Sequence, residues 1–408
     1  NKSSVTKYAA MLKRVNADDR IRGTITMYGA NRTGRDSARG FQSQNLARAV
    51  LLNDELSMDA ACEIVKAGTA ELLFDDPLQL LSDTVRGTIM APEGSRLAIA
   101  DLSNIEGRVC PWLANEESKL QYFRDFDAGR IKFDNYVMAY AKSFNVRPEQ
   151  VTKANRQVGK VQELASMYGG SVGAYITFAT AFRLDIEQLG LGIAENVDPR
   201  LLAECESQSK WSVDKGITTY GLEERVWAGL MAGVKSWRLS HPNIVSSWAK
   251  AEEAFRAAIN NPGEWIPMAR DVFVNNTNGT LFVRLPSGRT LLYPSAHEVE
   301  TKDRRAKMLS FYGVRPMSRK FDVIRTHGSR LIENLTQAMA RDCLFYHIPE
   351  VERVGYRIIM RVHDELVAEI EDPRLSGEHL ATLVGRPHPW CADLPMAAKG
   401  ETTIRYDK

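Results

Sequence analysis

The pattern of apolar and polar positions along this chain switches between two regimes. Short apolar runs of strand length occur at a few places, and long stretches with helical spacing lie between them. Residues 96–101, RLAIAD, form a strand-like run that ends on Asp101. Residues 281–294, LFVRLPSGRTLLYP, place apolar runs on both sides of Pro286-Ser287-Gly288 and predict a β-hairpin. Residues 355–370, GYRIIMRVHDELVAEI, read as two buried strands interrupted by His363, Asp364 and Glu365. Helical spacing covers ARAVLLNDEL and AACEIVKAG within 46–92, the segment after Asp101, most of 134–260, and 329–348. PGEW at 262–265 and NNTNGT at 275–280 are expected to break helices, and Pro111 to kink a helix or mark its first turn. Residues 1–45 combine a short helical start with a Gly-, Asn- and Arg-rich part that reads as strands and loops. The order is strand, helices, strands, helix, strands. The two β regions are far apart in sequence, and the fold class is α+β. No fixed-period repeat and no low-complexity segment is present.

Composition narrows the picture. A chain of 408 residues can bury a large core and predicts two or three lobes. Its 44% hydrophobic and 25% charged residues are ordinary for a globular protein. No apolar run approaches the ~20 residues needed to span a bilayer, and residues 1–15 lack the apolar segment of a signal peptide. The first residue is Asn rather than Met, as in a fragment. Five scattered cysteines without a CxxC pair suggest neither a zinc site nor a disulfide framework, which fits a reducing cytoplasm. With a net charge of only +2, a site for a polyanion has to be a local patch.

Three constellations carry candidate chemistry. Desolvating an unpaired carboxylate is costly, so the charges inside the 355–370 run need partners. If the strand ending at Asp101 pairs with the hairpin at Asp364, two carboxylates meet at one end of a sheet. They repel unless a proton or a metal lies between them. A hard divalent cation with oxygen ligands, Mg²⁺ or Mn²⁺, suits such a pair; the plain alternative is two turn-forming aspartates. The second constellation is RQVGKVQELASMYGG. Arg156, Lys160, Leu164 and Tyr168 recur every four residues and form one stripe on a helix, which Gly169-Gly170 would end. Two cations followed by an aromatic suit a nucleotide; the alternative is a solvated cationic face with Tyr168 in the core. The third is NRTGRDSARGFQSQNL, whose Arg and Gln beside glycines can reach a minor groove, or which forms a surface loop.

Taken together, these segments resemble family A DNA polymerases, the DNA polymerase I-like group, most of all those of phages and prophages. IADLSNIEGRV resembles the first palm motif, RQVGKVQELASMYGG the fingers helix, and RVHDELVAEI the last palm motif. TGR…QNL and NLTQAMARD resemble segments that contact primer–template, and the closing PWCADLPMAAKGETTIRYDK is similar to phage members. The resemblance runs from about residue 20 to the end, with five motifs in the family's order. It implies a right-hand architecture, with an antiparallel-sheet palm and helical fingers. The expected divisions are a residual thumb leading into the palm at 1–32, palm at 33–133, fingers at 134–280, and palm again at 281–408.

The implied function is template-directed addition of deoxynucleotides to a primer 3′-hydroxyl by two-metal nucleotidyl transfer. Asp101, Asp364 and the backbone carbonyl of Leu102 would hold two Mg²⁺ ions, with Mn²⁺ as an alternative, and Glu365 would support them. Arg156 and Lys160 would bind the triphosphate, with Lys160 as proton donor to pyrophosphate. Tyr168 would sit by the templating pair, and Glu106 would crowd the sugar 2′-carbon and so favour deoxynucleotides. Arg35, Gln44, Asn45, Gln337 and His363, with Arg330 as a further contact, would line the minor groove and primer end. Asp134 and Tyr136 match a short motif before the fingers helix. Leu164 stands where most members carry Phe or Tyr, which bears on dideoxynucleotide discrimination. Only 32 residues precede Thr33, so the resemblance implies an absent or reduced thumb and no proofreading exonuclease in this chain, with an accessory protein or further N-terminal domains supplying grip. Primer–template DNA and deoxynucleoside triphosphates are the implied partners of a monomer without membrane attachment, phage- or prophage-encoded, in the bacterial cytoplasm. The basic run at 302–320 either tracks template phosphates or is a solvated loop. The alternatives are a weak or inactive DNA-binding prophage remnant and a single-subunit RNA polymerase relative; Glu106 and QNL argue against the latter.

Overall fold

A computed structural model describes residues 2–47, 49–53, 55–300, 307–315 and 318–407. The chain forms two compact units: Asn1–Ile105 with Gln337–Lys408, and Glu106–Thr336.

The first unit is built on a four-stranded antiparallel sheet. Its spatial order is Arg357–Val362, Glu365–Ile370, Arg96–Leu102, Ala398–Thr403. The two inner strands are rich in Leu, Ile, Val and Ala because both their faces are covered. Every residue of Glu365–Ile370 is buried. Leu97, Ile99, Met360, Val362, Val367 and Tyr406 form one core cluster against the sheet. The helix Gly377–Val384 packs on the sheet so closely that a Cβ at Gly400 would meet the carbonyl oxygen of Gly377 at 1.9 Å, which only glycine avoids. The buried Glu369 accepts from both guanidinium nitrogens of Arg20, at 2.9 and 3.0 Å, and from Arg357 at 3.2 Å. These bonds compensate its desolvation.

Among its described residues, ARAVLLNDEL forms no helix, contrary to the expectation. Its backbone N–H groups at Val50 and Leu51 donate instead to the Asp83 carboxylate, at 2.8 and 2.6 Å. Val50 is exposed, so the apolar spacing there marks no buried face. The helix Met58–Lys66 begins only where Ser57 caps it by accepting from Ala60 N–H.

The second unit contains a helical body and two sheets. Phe144, Val161, Tyr175, Ile193, Trp227 and Leu230 are central to the helical core. One antiparallel sheet runs Ile266–Ala269, Val272–Thr277, Thr280–Arg284, Thr290–Tyr293 in space. It includes the hairpin expected from LFVRLPSGRTLLYP. The other runs Phe321–Thr326, Lys307–Val314, His297–Glu300. NNTNGT breaks no helix, contrary to its polar composition. Asn275–Thr277 end a strand, and Asn278-Gly279, both with positive φ, make the two-residue turn to Thr280. The helix Pro242–Asn260 has already ended. Pro111 lies in the body of the helix Ile105–Ala114 rather than in its first turn.

Glu163 is buried within the helical core. It accepts from Lys119, from Asn135 Nδ2 at 3.1 Å and from Trp237 Nε1 at 3.0 Å. Burial pushes its carboxyl up, but the nearby Lys119 and His241 and these hydrogen bonds outweigh that and hold it below the ordinary value. Burial and Lys119 push His241 down to about 4. Both folded values lie below the unfolded ones, so both groups contribute stability that is lost on acidification. The melting temperature should fall as pH drops from about 6.5 to about 4, and His241→Phe should flatten that slope. Lys119→Met leaves a buried charge unpaired and should cost about 3–5 kcal/mol in urea unfolding at neutral pH.

Candidate active site and nucleic-acid interface

In the first unit, register places the acidic residues. Glu365 pairs directly with Asp101, and Leu102 N–H donates to the Asp364 carbonyl at 3.0 Å. Residues directly opposite in an antiparallel pair project from the same face. Asp101 and Glu365 therefore share a face, and Asp364 is in the turn beside them. That turn is short: Val362 pairs with Glu365, leaving His363-Asp364 as a two-residue loop. His363 occupies φ 55°, a left-handed position that hairpins usually give to Gly or Asn. A histidine there carries strain of the kind that collects at functional sites. The buried Glu365 has the Tyr406 hydroxyl as hydrogen-bond partner, and burial and Glu365 push that phenol up.

Asp101, Asp364 and the Leu102 carbonyl offer hard oxygen donors of the kind a divalent cation prefers. Among the described residues, no group of three or more His, Cys, Asp or Glu side chains forms a metal cage. Mg²⁺ does not need one. It usually binds through one or two carboxylates, keeping waters and substrate phosphates as its other ligands. The donor set fits.

In the second unit, the helix Lys153–Ser166 carries Arg156, Lys160 and Leu164. Tyr168 lies two residues past the end of this helix, in a turn that contains Gly169 at φ 76°, so the stripe closes one member early. Arg156 Nε donates to Asp134 Oδ2 at 2.6 Å, and Asp134 caps the helix Asn135–Ser143 through its other oxygen. The Arg156 guanidinium and Lys160 ammonium lie 5.0 and 5.9 Å from the centre of the Tyr136 ring, and Lys160 is 4.8 Å from that of Phe182. Gly159 makes this approach possible: a Cβ there would be 2.1 Å from the Tyr136 carbonyl oxygen. The hydroxyl of half-buried Tyr168 donates to Glu106 Oε2 at 2.8 Å. Burial and the adjacent Glu106 raise the Tyr168 phenol well above its ordinary value, so it acts as a donor.

Three of the expected DNA-contacting residues come together. Arg35, Gln44 and His363 line one narrow crevice with Asp36, Arg341, Phe345 and Arg361. His363 Nε2 lies 3.2 Å from the Gln44 carbonyl oxygen, and Gln44 Nε2 donates to the Asp36 carbonyl at 3.3 Å. Asn45 is adjacent in sequence, in the turn Ser43–Asn45. Gln337 and Arg330 both ride the helix Gly328–Tyr346, where exposed Arg330 pairs with Glu333 at 2.6 Å; Gln337 falls within the first unit and Arg330 within the second.

Sequence reasoning missed Arg341, Phe345, Arg361 and Asp36. Arg341 lies over the Phe345 ring at 3.8 Å, Arg361 over the same ring at 5.1 Å, and Arg361 Nε donates to buried Asp36 at 2.7 Å. One signal was available: Gln337, Arg341 and Phe345 recur every four residues. The Asp36–Arg361 pair, 325 residues apart, left none.

This mixture of helices and antiparallel sheets is shared with a polymerase domain of known structure. The POL domain of Pol1 from M. smegmatis, solved in complex with DNA primer-template and dNTP, superposes with a TM-score of 0.55 at 16% identity, over 100% of this chain and 51% of that one. In sequence, the chain is 33% identical over 412 residues to a DNA polymerase of Bacillus phage SP02, covering 100% of this chain and 56% of that protein. The chain thus resembles a phage DNA polymerase in sequence and a polymerase domain in fold. It spans about half the length of the curated relative it matches. No family model matches it. No helix of the described residues is long and apolar enough to cross a membrane.

Proposed function

We propose that this chain carries the palm and fingers of a phage-encoded, template-directed DNA polymerase. Its partners are primer–template DNA and deoxynucleoside triphosphates, and its setting is the bacterial cytoplasm. The observation that carries this reading is the register of Glu365 against Asp101, with Asp364 in the turn just before Glu365. The sheet of the first unit belongs to the palm and the helices within 134–280 to the fingers.

Asp101, Asp364 and the Leu102 carbonyl would hold two Mg²⁺ ions, which when bound lower the pKa of the primer 3′-hydroxyl and neutralise charge on the triphosphate. Glu365, fixed by Tyr406, supports the negative field of that turn. Arg156 binds triphosphate oxygens, and Lys160 donates a proton to the leaving pyrophosphate. Arg35, Gln44, Asn45, Gln337 and His363 read acceptors in the minor groove, which occupy similar places on every base pair. Arg330 gives a further contact on the same helix.

Primer extension with Mg²⁺ and the four deoxynucleotides tests this reading directly, and absence of extension under any Mg²⁺ or Mn²⁺ concentration would overturn it. Ribonucleotides in the same assay test sugar choice. Glu106, held by Tyr168, would crowd a ribose hydroxyl. Glu106→Gly should lower the preference for deoxy- over ribonucleotides by at least about tenfold, the effect of about 1.4 kcal/mol. Tyr168→Phe, which frees Glu106 without removing it, should give a smaller change in the same direction.

A further inference from the structure

Toward its outer end, the three-stranded sheet of the second unit has one dry face and one wet face; Ser310, further in on the wet side, is buried. Leu309 and Phe311 are buried on the dry side. Side chains alternate along a strand, so Tyr312 and Val314 stand on the opposite face. Cross-strand register adds Phe321 opposite Val314, Val323 opposite Tyr312, and Arg325 and His297 opposite Ser310. On this face Phe321 is 66% exposed and Tyr312 38% exposed. The rings form a diagonal ladder, one from each strand. His297 and Tyr312 are 5.9 Å apart between centroids, and Tyr312 and Phe321 are 6.0 Å apart with 26° between their planes.

The surround is cationic. Arg319 and Lys320 lead into Phe321, Arg325 follows it, and all three are exposed. Among the described residues none of these three joins an ion pair, whereas Arg315 is neutralised by Asp322 at 2.8 Å. Exposed aromatic rings in a row, bordered by unneutralised cations, match two features of a polynucleotide at once. Unpaired bases present π-faces for stacking, and the backbone supplies one negative charge per nucleotide. Bases inside a duplex have no free faces, so the match is to a single strand.

We propose that this sheet face, with Tyr312 and Phe321 as its stacking pair and Arg319, Lys320 and Arg325 as its phosphate-binding cations, binds single-stranded nucleic acid. That the strand is the unpaired template rests on the polymerase reading; the binding itself does not. The test is fluorescence anisotropy with a labelled oligothymidylate, without nucleotides or metal, across a salt series. A Tyr312→Ala/Phe321→Ala variant should bind about tenfold more weakly or worse. Phe321→Trp, which keeps a stacking ring, should stay within about twofold of the parent. Arg319→Glu/Lys320→Glu should weaken binding and lower the salt slope by about 0.7 for each phosphate that is no longer neutralised. Blunt duplex binding by the aromatic variant should be unchanged, and its circular dichroism should match the parent. Oligothymidylate binding that survives loss of both rings would overturn the proposal, as would equal weakening for duplex and single strand. Ring-dependent oligothymidylate binding by a chain that extends no primer would sink the polymerase reading and leave this one standing.

Discussion

Asp364→Asn is expected to lower the primer-extension rate by at least about 10³-fold while leaving the melting temperature near that of the parent. The size follows from what the carboxylate does. Charge stabilisation by a bound metal is worth several kcal/mol in a transition state, and each 1.36 kcal/mol is tenfold in rate. The substitution keeps the shape of the side chain and removes the charge that would hold the cation. The fold should tolerate it because Asp364 is in the hairpin turn, and the bond its carbonyl accepts from Leu102 N–H does not involve the side chain. Asp101→Asn should give a comparable loss. The double variant should be little worse than either single one, because groups that serve one metal site act as a unit. Single-turnover extension with excess enzyme measures all three. Near-parental extension by Asp364→Asn would remove the metal assignment.

Lys160→Ala should slow the chemical step by about 10²-fold or more if the ammonium donates the proton to pyrophosphate. The faces of the Tyr136 and Phe182 rings lie within 5.9 Å of this ammonium and attract a cation there. Lys160→Arg separates two roles. Arginine keeps the positive charge but does not release its proton in proteins. Nucleotide affinity should therefore largely return with Arg, while the single-turnover rate stays low. Full recovery of the rate by Arg would mean that charge alone is needed at this position.

Much of the site was legible because it is written in local patterns. RLAIAD and the two halves of 355–370 are apolar runs that only a covered sheet explains, and their polar interruptions mark the turn. Arg156, Lys160 and Leu164 follow helical spacing, which survives in the structure to Ser166. Tyr168 slipped because spacing by four does not reveal that the helix ends before it. ARAVLLNDEL misled for a different reason. Its apolar residues have helical spacing, but Asp83, more than thirty residues downstream, captures the backbone donors that a helix would need. NNTNGT looks like a helix breaker in a local window, but the strands on either side of it make Asn278-Gly279 a hairpin turn instead. Long-range partners such as Asp36 with Arg361, and Arg20 with Glu369, leave no trace in a local window.

The strand carrying Asp101 is flanked by segments that are synthesised much later. It pairs on one side with residues 365–370 and on the other with residues 398–403, while the second unit is contained wholly between them in sequence. A ribosome adding about 5–20 residues each second would expose the second unit well before that sheet can close. The inserted body can thus mature first, while its host waits as an open-edged intermediate. Interrupted translation should leave folded helices attached to an aggregation-prone stub.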